Sequence, residues 1–298
     1  TVTESDFEYF KLQRYLMRVA LITGAEMAKP DPESHLLIHE LGVLGIPSEL
    51  ISWRAPLDWS LFDLIVIRTP WDYFLHLEEF LSWVEDVEKV TRVLNSSCIL
   101  RWNSHKKYLK ELSSFGVPTV PTVWVTKNQQ CADLVDSIEW PIVVVKPAVS
   151  IGAIGALKGQ SKDNHVKQHL EEEVKKGDVM IQPFLESVAD FGELSLIYFN
   201  GAYSHSILKK PQQGDYRVQD AYGGTNALYE PEIEAQKIGD QVLSYLPDFS
   251  LYARVDLVKY QNQWLLMELE AIEPELFLPI APQASIRLAA AIKFHLDK

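Results

Sequence analysis

Cysteine is nearly absent from this chain. The two present, Cys98 and Cys131, belong to no metal-binding or redox motif, so a reducing cytoplasm is the expected setting. No apolar run is long enough to span a bilayer, which removes a membrane from the expected partners. The opening "TVTESDFEYFKLQRYL" is polar and lacks the apolar stretch of a signal peptide. Basic residues are scarce, 28 against 41 acidic ones, for a formal net charge of -13 and a pI near 5.1. That balance argues against a nucleic-acid-binding surface, although a few local lysines and arginines suffice for a phosphate. Common signatures are missing as well. There is no Walker lysine motif and no GxGxxG, and neither G-x-S-x-G nor a cysteine nucleophile context supports a hydrolase.

What is present describes a globular protein. The chain has 298 residues, 47% of them hydrophobic, enough for two domains or one domain with a sizeable insertion. Residues 1–16 read as an N-terminal extension, and Met17 stands just before a first strand, "RVALIT". From 18 to 96 strands and helices alternate through a helical segment at 33–44, "SELIS", "DLIVIRT" and "LHLEEFLSWVEDVEKV". This α/β pattern predicts a parallel sheet. A helix is expected at 104–115, stopped by Gly116-Val117-Pro118. The middle reads as a small α+β module built on "TVPTVWVT", "WPIVVVKP", a helix ended by Gly177, and "DVMIQPF". Then "GELSLIYF" and "AYSHSILKK" flank Asn200-Gly201, a strong hairpin signal. Helices at 232–245 and 284–296 enclose a last hairpin.

That hairpin, "RVDLVKYQNQWLLMELEAIEPELF", loads strand-like sequence with carboxylates. A three-residue break at Gln261-Asn262-Gln263 pairs Tyr260 with Trp264, Asp256 with Glu268 and Arg254 with Glu270. A two-residue loop would set Asp256 against Met267 and mix apolar with charged faces. Alternation puts Trp264 and Leu266 on the face of Glu268 and Glu270. Two carboxylates about 5 Å apart repel by roughly 3 kcal/mol at an effective dielectric near 20, so something positive belongs there. It is either Mg²⁺, a hard cation held by carboxylates, or Arg254 with the rest facing water. The hairpin alone leaves both open.

Lysines stand at three other points. Lys146 ends "PIVVVKP" before "AVSIGAIGA", where backbone N–H groups of a glycine-containing loop suit phosphate, or the lysine simply snorkels to solvent. Lys106 and Lys107 begin the 104–115 helix and by themselves read as a solvated face. Lys209, Lys210 and Arg217 surround the polar loop "PQQGDY". His35/His39 and His165/His169 each share a helix face, with no third ligand nearby in sequence for zinc.

Three of these elements, in order, resemble the ATP-grasp superfamily. "RWNSHKKYLKELSSFGVPTVPT" is similar to its lysine-bearing helix and Gly-x-Pro turn, and "VVVKPAVSIGAIGA" to its second lysine and phosphate loop. "RVDLV…LMELEAIEP" is similar to its metal-binding carboxylate pattern, and "VIRTPWDYFLHLEEFLSW" resembles a bacterial branch related to glutathione synthetases and the cycloserine-forming ligase. The resemblance implies an α/β ATP-grasp fold with an N-terminal α/β domain at 17–103, a small central lid domain at 104–185 and a C-terminal antiparallel-sheet domain at 186–298. It further implies that Lys106, Lys146 and Gly152 contact ATP phosphates. Gln182, Pro183, Phe184 and Leu185 would line the adenine pocket, and Glu193 would approach the ribose. Asp256, Glu268 and Glu270 would hold one or two Mg²⁺ ions, with Mn²⁺ as a substitute. Lys209, Arg217 and Arg254 would face phosphate or a substrate carboxylate. The pattern departs at three points: His105 stands where an Asp often precedes the first lysine, Glu270 replaces a common Asn, and Ser195 replaces a substrate-binding arginine.

The implied activity is ATP-dependent ligation of a carboxylate to an amine, ADP-forming, on an amino acid or small peptide, between two molecules or within one. ATP and these small molecules are the expected partners, and a homo-oligomer stays open. Glu273 and Glu275 suit a substrate amine or an ordinary charged loop equally. Two rivals remain. A nucleotide-binding regulatory protein would bind ATP without turnover, and a carboxylate-pair glycosidase would leave the lysines unexplained.

Overall fold

The computed structural model describes residues 18–24, 31–219 and 222–298; the N-terminal extension expected at 1–16 lies outside them. Apolar runs make the first sheet. β1 (Val19–Thr23) and β3 (Leu64–Thr69) are buried along their whole length, as strands of a parallel sheet covered on both faces must be. With β2 (Ser48–Ser52) and β4 (Arg92–Leu94) they form a four-stranded parallel sheet in the order β2-β1-β3-β4. The crossovers carry α1 (Pro32–Val43), which starts with Asp31 accepting from the Ser34 N–H, and α2 (Leu77–Val87).

Next come α3 (Ser97–Asn103) and α4 (Tyr108–Ser114). The helix expected at 104–115 is observed only from Tyr108, with Lys106 in the turn that separates it from the preceding α3. Tertiary bonds hold that turn. Asn103 Nδ2 donates to the Leu269 carbonyl at 2.8 Å, and the Lys106 N–H donates to the Ala148 carbonyl at 2.8 Å.

A small second sheet follows. β5 (Val123–Val125), β6 (Ile142–Pro147), β7 (Leu157–Gln160) and β8 (Val179–Pro183) pair antiparallel in the order β5-β8-β6-β7. The short α5 (Ala132–Asp136) and α6 (Asn164–Lys176) pack on it around Val143, Val145, Val166 and Leu170.

After α7 (Ser187–Asp190), the third sheet takes β9 (Glu193–Phe199), β10 (Ala202–Lys210), β11 (Thr225–Leu228), β12 (Tyr252–Tyr260) and β13 (Gln263–Glu270). Its order is β11-β10-β9-β12-β13, all antiparallel, with α8 (Ile233–Ser244) and α9 (Pro282–Leu296) beside it. Asn200 and Gly201 turn the β9–β10 hairpin with φ of +50° and +74°, the left-handed pair that a two-residue turn demands. The fold is thus the expected α/β one: a parallel sheet followed by two antiparallel sheets.

The last hairpin corrects the expected loop. Its turn has two residues, Gln261 and Asn262, with φ of +48° and +64°, so Tyr260 pairs with Gln263. The two-residue loop nonetheless ends with Asp256 opposite Glu268 and Arg254 opposite Glu270, because Met267 is skipped as a bulge. The bulge also overturns the expected faces. Trp264, Leu266 and Leu269 all join one core cluster with Val255 and Leu257, while Leu265 and Met267 pack in another. A single extra residue therefore lets apolar side chains on one flank and carboxylates on the other both reach their proper sides.

Candidate active site

The carboxylates of β12 and β13 meet their counter-charges from four directions. Lys106 Nζ lies 3.1 Å from Glu268 Oε1 and donates to the Ser150 carbonyl at 2.9 Å. The lysine of the α3–α4 turn thereby joins the carboxylate hairpin to the loop after β6. Lys146, on β6, brings its Nζ to 3.6 Å from Met267 Sδ, so it reaches the same place from the small sheet. Burial pushes the Lys146 ammonium below its ordinary range, against the pull of Glu268. Lys209, near the end of β10, pairs with Glu193 Oε1 at 2.5 Å and Asp256 Oδ1 at 3.3 Å. Arg254 reaches Asp256 Oδ2 at 2.9 Å and Glu270 Oε1 at 2.5 Å, and Ser195 Oγ donates to Asp256 as well.

The charges do not cancel. Burial drives the Asp256 carboxyl upward, but Arg254 and Lys209 outweigh it and hold it below the usual carboxylate range. Glu270 goes the other way. Burial, with Glu268 and Asp256 close by, lifts it to about 7 despite Arg254. Glu273 is raised as well, first by burial and then by Glu270, while a hydrogen bond from Tyr73 opposes the rise. Tyr73 comes from the 3₁₀ turn after β3, so the parallel sheet also contributes a wall.

A divalent magnesium ion fits this donor set. The groups are hard carboxylate oxygens, and crowded negative charge that lifts Glu270 and Glu273 is what a small dication relieves. Among the described residues no three such side chains already converge on one point. Asp256 turns towards Arg254 and Lys209, Glu268 towards Lys106, and Glu270 towards Arg254.

The other expected residues divide. Gln182, Pro183, Phe184 and Leu185 close β8 and run out of the small sheet. Gln182 Nε2 donates to Thr122 Oγ1 at 2.9 Å, and Leu185 packs with Val258, Leu265 and Met267 of the hairpin. The Phe184 ring has Lys158 Nζ 3.4 Å from its centre and meets the Tyr216 ring at a right angle, with the ring centres 6.1 Å apart. Gly152 has φ of +57° in the loop after β6. Arg217 is not brought to the cluster: it pairs with Asp215 at 2.7 Å and lies 3.6 Å over the Tyr222 ring. His105 faces Asp178 at 3.3 Å instead of the carboxylates. Sequence reasoning missed Tyr73, Lys158, Ser150 and Met267. None carries a local signal, since each acts only through a neighbour remote in sequence.

Residues 108–261, more than half of the chain, match the family described as prokaryotic glutathione synthetase, ATP-grasp domain. The chain belongs to that ATP-grasp family. Residues 19–95 match the D-cycloserine synthetase DcsG N-terminal domain. Cycloserine biosynthesis protein DcsG of Streptomyces lavendulae is 29% identical over 295 residues, covering 92% of this chain and 97% of the relative. The crystal structure of D-cycloserine synthetase DcsG superposes with a TM-score of 0.85 at 28% identity, over 94% of this chain and 99% of that one. D-alanine–D-alanine ligase of Bacillus anthracis, at 17% identity and a TM-score of 0.68 over 94% and 97% of the two chains, shares the fold. As an ATP-grasp family member the protein is an ATP-dependent ligase that forms a carbon–nitrogen bond, and the reading as a regulator without turnover is not favoured. No helix among the described residues is long and apolar enough to cross a membrane.

Proposed function

We propose that this ATP-grasp ligase is ADP-forming, activates an amino-acid-type carboxylate as an acyl phosphate, and lets an amine displace the phosphate. The observation that carries this is Lys106. Its ammonium touches both Glu268 and the loop after Lys146, which supports one point where the lysines would meet phosphate and the carboxylates would meet metal. Lys106 and Lys146 would hold the phosphates, with Gly152 giving the loop its left-handed backbone. Asp256, Glu268 and Glu270 would hold one or two Mg²⁺ ions, or Mn²⁺, which offset charge on the transferring phosphoryl group. The 182–185 segment and Phe184 would receive the adenine, Glu193 would approach the ribose, and Arg254 and Lys209 would face the reacting phosphate or carboxylate. Arg217 would reach the substrate from the loop it shares with Asp215. The domains would divide at 103 and 185, and the setting would be cytoplasmic.

The relative DcsG, matched in both sequence and structure, is named for D-cycloserine, whose ring is closed through an acyl–nitrogen bond. That supports ring closure within one amino-acid-type molecule as the form of the ligation. The test is nucleotide release across a panel of amino acids, amino-acid derivatives and small peptides. ADP with phosphate is expected, together with a hydroxamate when hydroxylamine is added. AMP and pyrophosphate from the true substrate would overturn the acyl-phosphate route.

A further inference from the structure

Glu33 lies more than two hundred residues from the end of the carboxylate hairpin, yet its side chain grips the loop that follows it. Its two oxygens accept from the N–H groups of Leu276 at 2.9 Å and Leu278 at 2.8 Å, one on each side of Phe277. Phe277 has φ of +55°, a left-handed backbone that a bulky aromatic rarely adopts and that persists only where its surroundings hold it. Glu33 itself is buried in the first turn of α1 and pairs with Nη2 of Arg68, a fully buried arginine on β3, at 3.0 Å. Among the described residues, Nε and Nη1 of Arg68 meet no hydrogen-bond acceptor, so the Glu33 carboxylate is the acceptor this buried guanidinium uses.

The other side of the same loop leads to the site. The Glu275 carbonyl accepts from Arg254 Nη1 at 3.2 Å, and the Arg254 guanidinium lies 5.8 Å from the centre of the Phe277 ring. Arg254 then holds Asp256 and Glu270. Contacts thus run without a gap from the parallel sheet to the carboxylates.

We propose that Glu33 and Arg68 are positioning residues: by clamping the Leu276 and Leu278 amides they hold the Phe277 turn, and through it they fix how Arg254 presents Asp256 and Glu270. This rests on the reading above that those carboxylates serve a magnesium–nucleotide complex. A carboxylate is required at 33 because two N–H groups and an arginine all need an acceptor, and a glutamine supplies a single acceptor oxygen.

The experiment is binding of a non-hydrolysable ATP analogue to the full chain over a Mg²⁺ series, with thermal unfolding measured alongside. Four proteins are compared: the parent, Glu33→Gln, the double variant Glu33→Met with Arg68→Met, and Val84→Ala. Val84 is buried in a different apolar cluster from Leu276, Phe277 and Leu278, so its truncation loosens the core without touching the clamp. Glu33→Gln and the double variant should need roughly ten- to a hundredfold more Mg²⁺ for half-maximal binding, the usual effect of losing a residue that orients metal ligands. Val84→Ala should match the parent. Should Glu33→Gln fail to fold, the double variant decides, because it removes both charges together. Parent-like Mg²⁺ dependence in the double variant would overturn the proposal and leave the pair purely structural. A parent that binds no nucleotide at any Mg²⁺ concentration would instead overturn the functional reading, and the proposal with it.

Discussion

Asp256 faces Glu268 across the β12–β13 hairpin because Met267, the residue before Glu268, is passed over in the strand pairing. In a strand a one-residue slip exchanges the two faces, so a two-residue turn without this bulge would send Glu268 into the core. The bulge supplies the compensating slip next to the carboxylates and leaves the apolar pairs intact.

Deleting Met267 gives a direct check. The shortened strand would run Leu266, Glu268, Leu269, Glu270 with regular alternation, keeping Asp256 opposite Glu268. We expect a cooperatively folded protein with weakened nucleotide binding, because the contact between Lys146 and Met267 at 3.6 Å is lost. A deletion variant that fails to fold by circular dichroism would show that the bulge is needed for more than register.

Glu268→Gln keeps the shape of the side chain and removes one charge. It should leave melting within the range of ordinary surface changes, about 0.5 kcal/mol, while weakening nucleotide binding only in the presence of Mg²⁺. Calorimetry with and without Mg²⁺ separates the two. Equal losses under both conditions would mean that Glu268 acts by holding Lys106, 3.1 Å away, and not through a metal.

Lys146→Met retains the aliphatic stem and discards the ammonium. Fixed charge aimed at a transferring phosphoryl group is usually a large term, so turnover should fall by about 10²-fold or more in a folded protein. Single-turnover ADP formation is the measurement. A loss confined to KM for ATP would assign Lys146 to binding alone.

His205 predicts an acid-dependent stability. It is buried with Nε2 2.9 Å from the Leu276 carbonyl, and burial lowers its pKa from 6.5 to about 4. Because the folded value lies below the unfolded one, the unfolded chain binds the extra proton between them. The contribution is therefore complete above pH 6.5 and is lost as pH falls from there towards about 4. Between pH 7.5 and 5 it amounts to about 2 kcal/mol. His205→Gln, which can still donate to Leu276, should be less sensitive to this acid step by that amount in urea unfolding.

The sequence by itself determined the alternating parallel sheet, the Asn200-Gly201 hairpin, and the ordered lysines and carboxylates. Each is written locally, in apolar period, turn chemistry or side-chain type, so no distant contact is needed to read it. Only the tertiary structure decided the rest. The helix expected at 104–115 starts only at Tyr108 because Asn103 bonds to the Leu269 carbonyl and Lys106 to the Ala148 carbonyl, a gain that intrinsic helix propensity cannot foresee. The Met267 bulge follows from the need to bury Trp264 and Leu266 while presenting Glu268, a demand set by neighbouring sheets. Tyr73 and Glu33 entered the account for the same reason: their partners, Glu273 and the Leu276 and Leu278 amides, lie about two hundred residues away or more and are brought near by packing alone.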